Sequence, residues 1–132
     1  MTYRSLKLIG FALLLMAACK KDAPPSYVDA AIQGYWSNPT YTDTTVTYTR
    51  STSLPQNAYG FLITNNNKFV EHKNIGSCGT PPVVYGIYEG SWTSIGDTLK
   101  ITVGFWGGIT TYKWLIVNID ENELVIHEIY AY

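Results

Sequence analysis

The stretch Thr98-Leu99-Lys100-Ile101-Thr102-Val103-Gly104-Phe105-Trp106-Gly107-Gly108-Ile109-Thr110-Thr111-Tyr112-Lys113-Trp114-Leu115-Ile116 decides the fold. Leu99, Ile101, Val103 and Phe105 share one face of an extended chain, while Lys100 and Thr102 take the other. That period of two is a half-buried strand. Trp106-Gly107-Gly108 then turns the chain, and it is far too short for a parallel crossover, which needs about a dozen residues or more. The second arm is apolar on both faces, with Tyr112, Trp114 and Ile116 on one and Leu115, Val117 and Ile119 on the other. One face must point into a core.

Working outward, the same signals recur along the chain. Strands are predicted over Gly34–Tyr41, Thr44–Ser51, Tyr59–Thr64, Lys68–Lys73, Val83–Trp92, Thr98–Phe105, Thr110–Ile119 and Glu123–Tyr130. Asn65-Asn66-Asn67, Ser94-Ile95-Gly96-Asp97 and Asp120-Glu121-Asn122 join neighbours by short connections, and Asn, Asp and Gly suit the left-handed conformations of tight hairpins. The expectation is all-β: an eight-stranded, antiparallel, largely up-and-down sheet. Closure into a barrel removes its exposed edges. Only Tyr27–Gln33 reads as helical, for one or two turns. The apolar outer face of the last two strands (Val125 and Ile129 oppose Leu124 and Ile126) calls for a cover: the helical turn, a partner molecule or a second copy.

The first residues form a separate object. Arg4 and Lys7 precede the uncharged apolar run Leu8–Met16, the pattern of an export signal, and the run is too short for the roughly 20 residues of a membrane-spanning helix. Leu15-Met16-Ala17-Ala18-Cys19 resembles the lipobox of bacterial lipoproteins. The resemblance implies cleavage before Cys19, lipidation of its thiol and amino terminus, and a membrane partner reached through that anchor. The chain then divides into a signal peptide at 1–18, a lipidated cysteine and linker at 19–28, and a barrel domain at 29–132. The expected location is the bacterial cell envelope, at the outer membrane, with the periplasmic or surface face left open. Lys20–Ser26 contains Pro24-Pro25 and reads as a short extended tether.

Charge excludes other partners. The 132 residues carry 9 basic and 10 acidic side chains, a formal charge of −1. Loss of Arg4 and Lys7 leaves 7 basic residues and a charge of −3. No basic face for nucleic acid is expected. With Cys19 acylated, Cys78 is left without an intramolecular disulfide partner and reads as a small loop residue. His72 and His127 are isolated, Glu71, Glu89 and Glu128 are scattered over strands, and no nucleophile turn or phosphate-cradling loop occurs. No catalytic residue, metal site or cofactor is assigned.

Gly34-Tyr35-Trp36, entering the first strand after a helical turn, resembles the Gly-x-Trp signature of the lipocalin and calycin barrels. Gly90-Ser91-Trp92, Asp97–Ile101, Tyr112–Ile116 and Leu124-Val125-Ile126 are similar to segments of the lipocalin-like domains of bacterial lipoproteins. The resemblance implies that Gly34 and Trp36 close the barrel floor, with an arginine stacked on the tryptophan. The only arginine after the signal is Arg50, and the family's Thr-Asp-Tyr motif is absent.

An eight-stranded barrel is just wide enough to be filled by side chains or to hold one small ligand. The expected pocket residues are Tyr85, Ile87, Tyr112, Trp114 and Ile116, and Trp106 is expected at an exposed loop tip suited to binding. Three functions stand open: a binder of a small apolar or amphipathic ligand, an interaction module for an envelope protein or hydrolase, and an enzyme built inside the barrel.

Overall fold

A computed structural model describes residues 27–76 and 82–129. The signal peptide, Cys19, the tether through Ser26, Cys78 and Tyr130 lie outside the described residues. The chain forms α1 (Tyr27–Ala31), β1 (Gly34–Thr42), β2 (Thr45–Ser51), β3 (Gly60–Ile63), β4 (Lys68–Asn74), β5 (Tyr85–Ile95), β6 (Thr98–Phe105), β7 (Gly108–Ile119) and β8 (Glu123–Glu128). Every strand pairing is antiparallel. The eight strands close into a barrel in the order β1-β2-β8-β7-β6-β5-β4-β3. Among the described residues no helix is long and apolar enough to cross a membrane.

That order departs from chain order at one connection. The six strands β3 to β8 form an uninterrupted meander, and the β1–β2 hairpin fills the gap between its first and last strands. The 52–59 connection therefore crosses the outside of β1, and Pro55 lies against Gly60 there. Because β3 has four residues, it covers β1 only from Gly34 to Ser37. Beyond it, Asn38 adopts φ 52° and Pro39 follows, where the β1–β2 register shifts. A bulge and a proline leave the uncovered length of β1 a poor template for another strand.

Side-chain alternation fills the interior. Trp36, Tyr48, Phe61, Phe69, Trp92, Leu99, Ile101, Trp114 and Ile126 all belong to the buried core. Phe61 stacks on Phe69 at 5.5 Å and lies 5.2 Å from Trp114, and Tyr112 stacks nearly parallel on Trp114 at 5.8 Å. In β7 the register shifts between Ile116 and Asn118, so Ile119 pairs with Leu124 and packs on the core. A strict alternation puts Ile119 outside with Leu115 and Val117; the bulge moves it in.

The helical turn covers an end of the barrel, not its outer face. Ile32 is fully buried, and its carbonyl accepts the Trp36 indole N–H at 2.7 Å. Arg50 stacks over Trp36 at 4.1 Å and donates to Ala31 O, Gln33 O and Glu121 O at 2.7, 2.7 and 2.8 Å. Gly34, at φ +127°, leaves the space: a Cβ there would stand 2.6 Å from the Arg50 guanidinium. The Ser94 hydroxyl also bonds to Asp29 of α1. This is the closed end, where β1 begins and β2 finishes. The opposite end, where β4 and β8 finish, β5 begins and the β1–β2 and β6–β7 turns lie, is the mouth.

Candidate functional site

The inward face of β4 carries Phe69, Glu71 and Lys73 in sequence from the closed end to the mouth. Phe69 completes the aromatic core, so the next two inward positions place a carboxylate and an ammonium above it. Glu71 is 1% exposed, yet fully partnered. The Tyr59 hydroxyl donates to its Oε1 at 2.7 Å, and Lys73 Nζ donates to its Oε2 at 2.5 Å. Lys73 also donates to the Tyr112 hydroxyl at 3.0 Å, and that hydroxyl lies 3.4 Å from Glu71 Oε2. The ammonium sits 5.2 Å from the Tyr88 ring and 5.5 Å from the Tyr112 ring, within cation–π range.

A cleft of about 310 Å³ opens above this network, lined by Lys73, Asn74, Phe105, Trp106, Thr110 and Tyr112. The β6–β7 turn supplies its aromatic wall. Trp106 is 67% exposed and meets Phe105 edge-on at 6.1 Å. A larger depression of about 470 Å³ lies elsewhere around the mouth, among Tyr41, Val46, His127 and Ile129. It lacks the buried ion pair, and His127 there bonds through Nδ1 to Thr44 O at 2.6 Å.

Protonation at the site is set by burial. The Tyr59 phenol is pushed well up by burial and then by the Glu71 charge. Tyr112 is raised by burial, with the Lys73 hydrogen bond opposing. Tyr48, against the same cluster, is raised chiefly by burial. Burial pulls Lys73 down, but its bonds to Glu71 and Tyr112 outweigh that and hold it above the usual lysine value. The site therefore presents neutral phenols and a charged ammonium at neutral pH. Such groups serve as hydrogen-bond donors.

The expected pocket residues divide three ways. Tyr112 and Trp106 meet at the cleft. Trp114 and Ile116 are buried in the core and are not among the residues lining this cleft; Trp114 stacks beneath Tyr112. Tyr85 and Ile87 face outward, a correction that follows from strand parity: Trp92 fixes the inner face of β5, so Tyr88 points in with it, and Ile87 is 65% exposed. Tyr85 packs instead against His72 at 5.5 Å on the outside of β4. Gly34 and Trp36 lie at the closed end, clamped by Arg50.

Glu71, Lys73 and Tyr59 were missed as a unit. Lys68–Lys73 has charged residues on both faces, so its sequence does not tell which one is inside; the parity of Phe69 is the signal that points to Glu71 and Lys73. Elsewhere, Glu89 pairs with Lys68 at the surface at 2.9 Å. His72 is buried on the outer face with Nδ1 unpartnered among the described residues. No group of three or more His, Cys, Asp or Glu among the described residues is arranged to hold a metal. Compared with known proteins, the chain matches no family model, no curated protein and no solved structure.

Proposed function

We propose that this chain is a lipid-anchored envelope protein with a lipocalin-like barrel that binds a small amphipathic ligand at its mouth, without catalysis. The observation that carries the reading is the Glu71–Lys73–Tyr59–Tyr112 network beneath Trp106, a built polar floor against an aromatic wall. The interior below is filled by aromatic side chains, so binding belongs at the mouth and not in the barrel's centre. Arg50 stacked on Trp36 beside Gly34 supports the lipocalin-like reading, while the β2–β3 crossover departs from an uninterrupted meander.

Trp106 is the exposed indole among four, the other three being core residues, so collisional quenching of fluorescence reports on this cleft alone. Some member of a panel of fatty acids, isoprenoids, tetrapyrroles and sugars is expected to protect Trp106 saturably. Thr110→Phe, which fills the cleft, is expected to abolish protection. Absence of any protection would overturn the reading. Cys19→Ala is expected to release the protein from membranes, and retention in the membrane fraction would remove the anchor from the proposal.

A second reading, an interaction module, is favoured by the exposed apolar side chains Tyr41, Val84, Trp106 and Ile109 around the mouth. It predicts that Ile109→Ser and Val84→Ser weaken association with an envelope protein while leaving small-molecule protection of Trp106 unchanged.

A further inference from the structure

We infer that the ligand class of the mouth cleft is a neutral sugar ring, an inference that rests on the binding role proposed above. Three observations converge on it. The first is charge. Among the described residues, Lys73 is the one charged residue lining the cleft, and its ammonium is already neutralised by Glu71 Oε2 at 2.5 Å. An anion reaching for Lys73 also meets the Glu71 carboxylate, whose repulsion offsets the attraction. A cation is opposed by Lys73 itself. Net attraction for either sign is small.

The second is hydrogen bonding. Of the three N–H groups of Lys73, two go to Glu71 and Tyr112, and the third makes no hydrogen bond among the described residues, facing the Tyr88 ring at cation–π range. Asn74 Oδ1 accepts from the Gly76 N–H at 2.7 Å, which leaves its amide N–H groups without a partner among the described residues. The Tyr112 hydroxyl accepts from Lys73 and makes only a long contact to Glu71, so its proton can be donated better elsewhere. A purely apolar ligand would strip water from these groups and return no hydrogen bond in exchange. The ligand must bring acceptors and hydroxyls of its own.

The third is shape. The cleft volume of about 310 Å³ is at the lower end for small-molecule sites, which span roughly 300–1,000 Å³. Its opposite wall is an exposed indole. A pyranose supplies an apolar C–H face for Trp106 and an equatorial hydroxyl edge for Lys73, Asn74 and Tyr112, with no formal charge.

The experiment uses the full chain and reads protection of Trp106 from acrylamide quenching against methyl glucoside, N-acetylglucosamine, cellobiose and laurate. Saturable protection by at least one sugar and none by laurate is the expected result. Tyr112→Phe is expected to weaken that sugar about tenfold, equivalent to about 1.4 kcal/mol. Protection by laurate alone, or equally by laurate and sugars, overturns the sugar assignment and leaves the binding site standing. Sugar binding undiminished by Thr110→Phe places the sugar elsewhere and overturns both. Silence from all four probes overturns the sugar assignment, and silence from the wider panel removes the binding role too.

Discussion

Glu71 is the residue on which the mouth depends. It is a buried carboxylate whose two oxygens are occupied by a phenol and an ammonium. Removing one partner of a buried pair strands the other, at about 3–5 kcal/mol, and the 16% exposure of the Lys73 side chain puts this case toward the low end. Glu71→Ala is expected to lower the unfolding free energy by about 3 kcal/mol, as read by denaturant titration. Glu71→Leu with Lys73→Met restores part of that loss, because the double variant leaves no unpaired charge. Losses that simply add would argue against a coupled pair. The aromatic half of the cleft was legible in the sequence, since Trp106 between glycines could only be a turn and Tyr112 shares a face with Trp114. The ionic half was not, because a strand with Lys68, Glu71 and Lys73 on it reads equally well as solvated surface.

Among the elements, α1 is short and gains its order from what it touches. Isolated helices of this length are not stable in water, so Ile32 in the core and the Arg50 bonds to its carbonyl end hold it in place. Arg50→Ala removes three charge-assisted hydrogen bonds and the stack on Trp36, and is expected to cost about 2–4 kcal/mol. Arg50→Lys is expected to recover little, because an ammonium cannot reproduce the planar fork that addresses three carbonyls at once. Differential scanning calorimetry of the two variants checks both. Strand positions were readable from alternation and turn residues to within a few residues. Two features were not: the inward rotation of Ile119, which needs a bulge invisible to a period of two, and the outward direction of Tyr85 and Ile87, in a strand whose residues Tyr85–Tyr88 are apolar or aromatic on both faces.

At the scale of the whole molecule, burial of phenols makes the fold alkali-sensitive. Tyr48, Tyr59 and Tyr112 are all raised in the folded state, chiefly by burial, whereas unfolded phenols ionise near pH 10. Lys73, raised by Glu71 and Tyr112 against the pull of burial, acts in the same direction. A raised folded value means the folded state holds its proton longer. The stabilisation is thus complete below about pH 10 and is lost as pH climbs through the folded values. Unfolding is expected to set in steeply above about pH 10, with tyrosinate absorbance appearing together with loss of the β signal in circular dichroism. Tyrosinate formation well ahead of unfolding would contradict it.

The insertion of one hairpin into a six-strand meander has a consequence for how the chain reaches this state. The outer partner of β1 is β3, the next strand in the chain, but that of β2 is the last strand: Thr45 must find His127, across nearly the whole domain. A two-stranded ribbon alone is marginal in water, so the β1–β2 hairpin depends on β3 and β8 for its order. Sequence separation of this kind slows folding, and it divides the molecule at the 52–59 connection into two fragments with complementary edges. Cleavage there would yield pieces able to reassociate through β2 with β8 and β1 with β3, which makes the barrel a natural two-part complementation system.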